Sequence, residues 1–411
     1  MRVLFLSQIV PYPPHGGVLQ RGYNVLRQLG QQAEVHLLAF VHPEALPTPD
    51  TLEQSKIELS RFCRRVEYFP LWAKRSPAHR VLALTASVAS SEPFGAIAHR
   101  SSAFRQRIGE AVRQQPFDVV HADTIGLAGF VDLDAPPAAT VLTHHNVESM
   151  LMARRSEVER GRAARTFLRR EAAKLEAAER RLSPRFDVNI VMSENDGESL
   201  RALAPSARTR VVANGVDTEY FTPAEDGGAP VLIYGGGMNM FANRDAVLHF
   251  LRAVWPLVKV AEPAVRFLAV GQDPPPELTA LAAQDPQIVV TGYVADIRPY
   301  IAQATVYVVP LRVGGGTRLK VLDAMAMGKA MVSTTLGCEG LAVTAGEHLL
   351  VADAPPDFAA AVVSLLRDRP RRVALGQAAR TLVEREYAWP AIGRQLMAAY
   401  DDAVTHRAER S

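Results

Sequence analysis

Short apolar strands alternate with helical stretches from one end of the chain to the other. Runs rich in Val, Ile and Leu predict strands at residues 3–10, 35–41, 66–71, 118–121, 140–144, 187–192, 231–234, 266–270, 288–291, 306–311, 331–334 and 348–351. The main helices are predicted at residues 18–29, 150–182, 245–258, 317–327 and 390–404. Because this alternation is typical of parallel sheets covered by helices on both faces, the sequence predicts a doubly wound α/β fold.

The length of 411 residues predicts two domains, each large enough to bury its own core. We place the boundary near Asn214, which gives domains at 1–210 and 211–388, and we expect the last helix, 389–411, to pack back toward the first domain. With 48% hydrophobic and 22% charged residues, the composition excludes disordered, collagen-like and coiled-coil chains.

The apolar stretches are too short to span a bilayer, which takes roughly 20 residues. The first ten residues carry a single positive charge and lack a cleavage pattern, so they predict a first strand rather than a leader. Cys63 and Cys338 lie far apart, without the spacing of a zinc site or a disulfide framework. Together these features predict a cytoplasmic protein.

Positive charge is concentrated in the first half of the chain. Residues 1–210 carry 28 Lys and Arg against 22 Asp and Glu, a net charge of +6, and the remainder has a net charge of −3. An Arg-rich stretch at 154–174 is interleaved with glutamates, which favours a solvated helix face over a surface for polyanions. We therefore expect no nucleic acid partner.

A second basic stretch is flanked by apolar residues. Trp72, Lys74 and Arg75 precede four apolar residues at helical spacing, namely Val81, Leu82, Leu84 and Val88. Apolar groups beside cations suit the headgroup region of an anionic membrane. The same stripe could instead pack against the first domain's core, and the sequence leaves both interpretations open.

Glycine-rich segments follow two of the predicted strands. Gly16 and Gly17 come after the first strand and before a helix, where their amides could contact a phosphate or a sugar. Gly235, Gly236 and Gly237 follow the first strand of the second domain, but the spacing is not that of a dinucleotide fingerprint. No acidic residue stands about 20 residues further on, so a nicotinamide enzyme is disfavoured.

A third segment has the sharpest pattern, Gly314, Gly315, Gly316, Thr317, Arg318, Leu319 and Lys320. Thr317 is expected to cap a helix with Arg318 and Lys320 in its first turn, at the surface. Cations at a helix start oppose its dipole, so they favour an external anion such as a diphosphate. The alternative is an ion pair between Lys320 and Asp323, with Arg318 solvated.

His145 follows the predicted strand at 140–144, which makes it a candidate donor to a ligand hydroxyl or phosphate, although a structural histidine would fit as well. Asp132 and Asp134 match a metal-binding D-x-D, but they lie in a Pro-rich turn. Because no other cluster has metal-ligand spacing, we expect no metal site.

The motifs resemble those of the retaining glycosyltransferases of family 4. The resemblance rests on Gly16 and Gly17 and on the segments 211–217, 292–296 and 310–341, and it covers nearly the whole chain. It implies the GT-B fold, in which two Rossmann-like domains, an N-terminal acceptor domain and a C-terminal nucleotide-sugar donor domain, face a central cleft. Residues 314–320 and 333–341 are similar to the bacterial branch associated with exopolysaccharide and exosortase systems.

The family pattern has two glutamates separated by seven residues. Here Gly315 stands at the first position and Asp323 at the second, so the first acid is missing and the second is shortened. The resemblance implies that Asp323 holds the donor ribose, and that Arg318, Lys320 and His145 act on the leaving diphosphate and the sugar. It also implies donor contacts at Gly16, Gly17, Gly314, Gly315, Gly316 and Thr317.

By resemblance, the reaction is transfer of a hexosyl or related sugar from a nucleotide sugar to an acceptor hydroxyl, with retention of anomeric configuration. The acceptor would be a glycan or a lipid-linked glycan, which implies peripheral contact with the inner face of the cytoplasmic membrane. No cofactor or metal is expected besides the nucleotide-sugar substrate. A GT-B nucleotide-sugar epimerase and a non-catalytic sugar-nucleotide-binding homologue are the alternatives.

Overall fold

The computed structural model describes residues 1–14, 17–46, 48–159, 161–224, 227–314 and 318–410. The chain divides into two compact units. Unit 1 comprises Met1–Ala213 together with the chain from Ile392 onward, and unit 2 comprises Asn214–Ala391.

Unit 1 is built on a seven-stranded sheet in the order β3-β2-β1-β4-β5-β6-β7, with every pair parallel. Its strands are β1 (Arg2–Ser7), β2 (Glu34–Val41), β3 (Arg65–Pro70), β4 (Val119–Ala122), β5 (Ala139–His144), β6 (Val188–Val191) and β7 (Thr209–Val211). The sequence pattern did not predict β7, since its three residues lie at the sheet edge, are partly exposed and include a charged Arg210.

The helices of unit 1 are α1 (Gly17–Leu29), α2 (Pro49–Leu59), α3 (Pro77–Ala89), α4 (Phe94–Ala98), α5 (Ser102–Gln114), α6 (Glu148–Val158), α7 (Arg162–Leu182) and α8 (Glu194–Leu203). The single helix predicted at 150–182 is wrong, because α6 and α7 are separate. Glu159 and Gly161 have extended backbones, and the Glu159 carbonyl accepts hydrogen bonds from Arg165 at the start of α7. Those bonds fix a turn where the charge pattern alone suggested continuity.

Unit 2 is built on a six-stranded parallel sheet in the order β10-β9-β8-β11-β12-β13. Its strands are β8 (Val231–Gly235), β9 (Arg266–Val270), β10 (Ile288–Gly292), β11 (Val306–Val309), β12 (Met331–Ser333) and β13 (Leu350–Val351). Two parallel, Rossmann-like sheets, each with its own helices, confirm the predicted α/β fold class.

The helices of unit 2 are α9 (Phe241–His249), α10 (Trp255–Ala261), α11 (Pro276–Gln284), α12 (Arg298–Gln303), α13 (Leu319–Ala326), α14 (Pro355–Arg367) and α15 (Arg369–Leu382). A π-helical turn, Phe250–Val254, joins α9 to α10, so the helix predicted at 245–258 is longer and irregular. The last helix, α16 (Trp389–Arg410), starts in unit 2 and belongs to unit 1 from Ile392 onward.

Each sheet carries its own apolar core. In unit 1 the central residues of β1, Val3 to Leu6, are fully buried, and Phe40 stacks on Phe104 with ring centroids 4.5 Å apart. In unit 2, Phe250 stacks on Phe267 at 4.9 Å. Burial on both faces explains why the central strands read as continuous apolar runs in the sequence.

None of the helices in the described part of the chain is both long enough and apolar enough to cross a membrane.

Candidate active site

Both sheets share one topology, and it fixes where a ligand can bind. In each, the first strand lies in the middle, with β1 beside β4 in unit 1 and β8 beside β11 in unit 2. The order of strands reverses there, and such a switch point opens a crevice beyond the carboxyl ends of the strands. The residues that follow β1, β4, β8 and β11 are therefore the first candidates in each unit.

In unit 1, Asp123 follows β4 and His145 follows β5. Nε2 of His145 lies 3.2 Å from Oδ1 of Asp123, and both side chains are less than one-tenth exposed. The backbone N–H of Asp123 donates to the carbonyl of Leu6 on β1, which fixes this carboxylate at the switch point. The sequence pattern identified His145 but missed Asp123, because a lone acid after a strand carries no local signal.

A buried arginine lies next to this pair. The Arg21 guanidinium, on α1, donates to the carbonyls of Val212 and Ala213 at 2.8 and 2.6 Å. Burial lowers the pKa of Arg21 to about 10, and the negative charge of Asp123 opposes that shift. Arg21 therefore balances the charge of Asp123, and its hydrogen bonds join α1 to the segment that follows β7.

A neutral histidine on β4, His121, connects the two strands that precede Asp123 and His145. Nδ1 of His121 lies 2.6 Å from the Tyr400 hydroxyl and Nε2 lies 2.7 Å from the Thr143 hydroxyl. Burial lowers the pKa of His121 to about 3, so this ring is uncharged at neutral pH. Its two hydrogen bonds join β4, on which it lies, to β5 and to α16.

Two further acids lie close to His145. Glu148 opens α6, and burial raises its pKa while the charge of His145 acts in the opposite direction. Behind it, the fully buried Glu179 accepts a 2.5 Å hydrogen bond from the Ser149 hydroxyl. Burial raises the pKa of Glu179 to about 7. Burial therefore disfavours the charged form of both carboxylates on this side of the site.

The glycine pair before α1 is only partly described. Gly16 lies outside the described residues, and Gly17 is the first residue of α1. The first turn of α1 contains no acidic residue. The donor contacts expected at Gly16 and Gly17 stay predictions.

In unit 2, the segment that follows β11 leads to the start of α13. Arg318 occupies the N-cap position, Lys320 lies in the first turn and Asp323 lies about one turn further on. Gly314 adopts φ 118°, a backbone conformation that favours glycine. Gly315, Gly316 and Thr317 lie outside the described residues, so their expected donor contacts stay predictions. The cap expected at Thr317 is wrong, because α13 begins at Leu319 and Arg318 holds the N-cap position.

Arg318 is buried, which contradicts the expectation that it lies at the surface. Its side chain is 6% exposed, and its Nε donates to the Leu336 carbonyl at 3.1 Å. Its Nη2 lies 3.6 Å from Oε2 of Glu339. Both partners come from the chain after β12, so sequence proximity gave no sign of them. Arg318 braces α13 against that segment as well as adding positive charge.

Lys320 reaches back to the first strand of the unit. Its Nζ donates to the Tyr234 hydroxyl at 2.9 Å and to Oδ1 of Asn243 at 2.6 Å, and it lies 4.3 Å from the centre of the Tyr234 ring. Burial and, secondarily, the charge of Arg318 lower the pKa of Lys320 to about 7. The ammonium group is thus held in place in a site that disfavours its charge.

Asp323 lies next to Lys320 without pairing to it. Within the described residues, no ion pair joins Lys320 to Asp323 and no hydrogen bond reaches the Asp323 carboxylate. Burial raises the pKa of Asp323 to about 7, and the charge of Lys320 opposes the shift. The geometry thus disfavours the alternative interpretation, in which Lys320 simply pairs with Asp323.

The glycine turn after β8 leaves room for the end of the Lys320 side chain. A Cβ on Gly236, which has φ 147°, would come within 2.7 Å of Nζ of Lys320 and 2.9 Å of Nδ2 of Asn243. A Cβ on Gly271 would lie 1.9 Å from the Gly236 carbonyl oxygen. The positive φ of Gly236 and the backbone contact at Gly271 therefore require glycine at both positions.

A small cavity lies beside this group. It has a volume of about 350 Å³ and its walls include Leu311, Arg312, Thr334, Leu336 and Glu339. Since Leu336 and Glu339 also contact Arg318, the cavity adjoins the start of α13.

The two acids of the D-x-D motif are engaged in local contacts. Oδ1 of Asp132 accepts hydrogen bonds from the N–H groups of Asp134 and Ala135, and Asp134 pairs with Arg185 at 2.5 Å. These contacts make it a turn. Among the residues that the structure describes, no group of three or more His, Cys, Asp or Glu side chains could hold a metal ion.

Two family models match the chain. The model described as Glycosyltransferase Family 4 matches residues 15–220, half of the chain, and the model described as Glycosyl transferases group 1 matches residues 229–368. A curated relative from Corynebacterium glutamicum is a GDP-mannose-dependent monoacylated alpha-(1-6)-phosphatidylinositol monomannoside mannosyltransferase. The two are 27% identical over an alignment 207 residues long. The alignment covers 44% of this chain and about half (53%) of the relative.

Solved structures match over nearly the full length. Sucrose-phosphate synthase from Thermosynechococcus elongatus has a TM-score of 0.69 at 18% identity, covering 98% of this chain and 100% of its own. Anabaena Alr3699/HepE in complex with UDP has a TM-score of 0.66 at 13% identity, with the same coverage of both chains. At these identities the likeness establishes the GT-B fold.

Proposed function

The chain belongs to glycosyltransferase family 4, and we propose that it is a retaining, metal-independent transferase of hexosyl or related sugars. The donor is a nucleotide sugar, and the acceptor is a hydroxyl of a glycan or lipid-linked glycan. The product enters exopolysaccharide or another cell-surface glycan.

One observation carries the donor assignment. Lys320 is fixed by Tyr234 and Asn243 at the switch point of the second sheet, beside a second cation, Arg318, and against a turn that admits only glycine. Burial disfavours the charge of Lys320, and a second cation lies beside it, so an anion bound next to Lys320 would stabilise its charged form. A diphosphate has the charge and the oxygen acceptors to fill that place.

Asp323 supports the placement of the donor's ribose beside α13. Its carboxyl lies about one turn beyond Lys320, and it has no hydrogen-bond donor among the described residues. The hydroxyl groups of a ribose would supply donors to that carboxylate. Because aspartate is one methylene shorter than the glutamate usual in the family, the ribose must approach α13 more closely.

In unit 1, we assign His145 to the transferred sugar or its phosphate. Oδ1 of Asp123 lies 3.2 Å from its Nε2, so the ring is held next to a buried carboxylate. An imidazole in this setting can donate a hydrogen bond to a sugar hydroxyl or to a phosphate oxygen as charge develops there.

The chemistry needs cations more than it needs a protein nucleophile. The bond between the anomeric carbon and the phosphate oxygen breaks, and the acceptor oxygen bonds to that carbon on the same face. The acceptor proton passes to a phosphate oxygen of the departing diphosphate. Because negative charge develops on the diphosphate, preorganised positive groups such as Lys320 stabilise the transition state.

Two relatives support the substrate classes. The Anabaena HepE structure holds UDP, which is the leaving group of a UDP-sugar donor. The Corynebacterium relative is named for a phosphatidylinositol mannoside, an acceptor with a lipid anchor. We propose, by analogy, a nucleotide-sugar donor for this chain and a lipid-linked acceptor at the inner face of the cytoplasmic membrane.

Donor turnover tests the proposal. The purified chain is incubated with a panel of nucleotide sugars, and the nucleotide and sugar products are separated by chromatography and identified by NMR. Slow release of a nucleoside diphosphate, with the α-configured sugar retained in transfer products, is expected. An isomerised nucleotide sugar would instead establish an epimerase, and binding without any product would establish a non-catalytic homologue.

A further inference from the structure

The outward side of α3 carries four large apolar side chains, together with the exposed Thr85. Val81, Leu82 and Val88 are 58%, 56% and 58% exposed, and Leu84 is 37% exposed. We call these four residues the apolar face of α3. Val81, Leu84 and Val88 follow helical spacing, and Leu82 lies beside them.

The inward side of the same helix is already packed, and it carries small residues. Ala83 is fully buried in a cluster with Ala73, Ile97 and Ala98. Ser87 is also fully buried, and its hydroxyl donates to Oε1 of Glu171 on α7 at 2.6 Å. The orientation of α3 is therefore fixed by its own contacts, and the core-packing interpretation of the apolar stripe is wrong.

Trp72 does not belong to the apolar face of α3. It is partly buried against the cluster around Ala83, and its ring meets the His79 ring edge-on at 5.9 Å. The membrane contact expected at Trp72 is accordingly reassigned to the helix that follows it.

The surroundings of this face are positively charged. Residues 71–91 contain Lys74, Arg75 and Arg80 but no Asp or Glu. Lys74 pairs with Glu44, whereas within the described residues Arg75 and Arg80 are exposed and form no ion pair.

The neighbouring helix adds to this charge. Lys174 of α7 donates to the Ser87 carbonyl at 2.9 Å, but an ion pair with Glu171 balances its charge. Arg170, one turn before it, is exposed and, within the described residues, forms no ion pair. The exposed cations next to the apolar face of α3 in the sequence are therefore Arg75 and Arg80, and Arg170 adds an unpaired charge on α7.

We propose that the apolar face of α3 docks on an anionic lipid surface. The four aliphatic side chains enter the boundary between headgroups and acyl chains, and Arg75 and Arg80 contact lipid phosphates. Docking through α3 would bring the protein to the membrane that holds the proposed lipid-linked acceptor. The biological purpose of this docking therefore rests on the proposed function. Lipid binding itself requires no catalysis.

A second copy of the chain fits this face less well. Four side chains that are each about half exposed fall far short of the roughly 800 Å² per partner that a stable protein interface buries. In a symmetric pair, the arginines around each face would also repel one another. Both arguments favour an anionic surface.

Vesicle sedimentation of the full chain tests the proposal. We expect binding to vesicles of phosphatidylcholine and phosphatidylglycerol, much weaker binding to phosphatidylcholine alone, and loss of binding at high salt. The double variant Leu82→Gln/Val88→Gln should lose binding at least tenfold. Its control is Val260→Gln, which alters a valine of unit 2 that is 84% exposed and should bind like the wild type.

A second variant tests the charges. Arg75→Gln/Arg80→Gln should weaken binding to anionic vesicles by about fivefold for each arginine removed. Arg252→Gln/Arg266→Gln removes the same net charge from exposed positions of unit 2 and should leave binding nearly unchanged.

Several outcomes would overturn the proposal. These are absence of binding at low salt, equal binding to neutral vesicles, or wild-type binding by Leu82→Gln/Val88→Gln. A dimer that this variant dissociates would assign the face to a second copy. Nucleotide-sugar turnover without an added acceptor, measured on the same samples, separates the two claims, because the α3 variants should turn over the donor like the wild type.

Discussion

The ammonium group of Lys320 donates a 2.6 Å hydrogen bond to Oδ1 of Asn243, which precedes it by 77 residues. The bond joins the first turn of α13 to the first turn of α9, and the Tyr234 hydroxyl completes a triangle by donating to the same Oδ1 at 2.9 Å. The cation therefore has a fixed position before any donor binds. Preorganised charge of this kind is what a leaving diphosphate requires.

Donor binding should take up a proton above neutral pH. The pKa of Lys320 is about 7 in the free protein, and a bound diphosphate raises it. Below that pKa the lysine is already charged, so no uptake is expected. As pH rises through 7, affinity falls, because binding must first protonate the lysine. Calorimetry of nucleoside diphosphate binding at about pH 8, in two buffers of different ionisation enthalpy, measures the uptake.

Two variants identify the group that takes up this proton. Uptake should persist in Asp323→Asn and vanish in Lys320→Met. Equal uptake in the wild type and Lys320→Met would assign the proton to another group.

Replacing Asp323 should stabilise the protein while weakening donor binding. The folded pKa of Asp323 is raised to about 7 from an ordinary value of 3.8, so its ionisation costs stability progressively between about pH 4 and pH 7. Asp323→Asn should therefore raise the free energy of unfolding near pH 8 by on the order of 2 to 4 kcal/mol, with no gain below about pH 4. Urea titrations at both pH values measure the difference.

Asp296→Asn is the matched control with the opposite sign. Hydrogen bonds from Arg298 hold the pKa of Asp296 below its ordinary value, so its contribution is present at neutral pH and is lost as pH falls. This variant should be slightly less stable than the wild type near pH 8. A loss of stability in Asp323→Asn at that pH would refute the burial argument.

Removing His145 should slow transfer without loosening the nucleotide. His145 belongs to the group that contains Asp123, whereas the diphosphate cations belong to unit 2. His145→Ala should lower kcat by about a hundredfold, the lower end of what the loss of one preorganised hydrogen-bond donor costs. Asp123→Asn should give a smaller loss of the same kind. Nucleoside diphosphate affinity should stay within about twofold in both, and a matching loss of affinity would place His145 at the diphosphate instead.

Activity should survive a strong chelator. Asp132 and Asp134 are engaged in a turn and in an ion pair with Arg185, and the diphosphate charge has Lys320 and Arg318 to neutralise it. Turnover assays with and without EDTA should agree. Loss of turnover that magnesium or manganese restores would contradict the assignment of charge neutralisation to side chains.

Sequence periodicity predicted the sheets well, because buried parallel strands are continuous apolar runs. It failed where contacts between residues determine the secondary structure and no apolar pattern marks it. The edge strand β7 has no apolar run, and the break between α6 and α7 depends on the Glu159 carbonyl and the Arg165 side chain.

The candidate site shows the same division. Arg318, Lys320 and His145 stand out locally, because cations at a helix start and a histidine after a strand are unusual patterns. The burial of Arg318 by Leu336 and Glu339 could not be foreseen, since those partners come from the next strand's connection. The role of Asp123 likewise emerges only when β4 is placed beside β1.

The most direct measurement is a titration of UDP, GDP and ADP into the wild type and Lys320→Met, with Lys259→Met as a control. Lys259 is a partly exposed lysine of unit 2 paired with Asp285. At least one nucleotide should bind the wild type and Lys259→Met equally, and Lys320→Met should bind it about ten to a hundred times more weakly, as expected for a lost charged hydrogen bond. Wild-type affinity in a folded Lys320→Met would contradict the placement of the donor diphosphate at the start of α13.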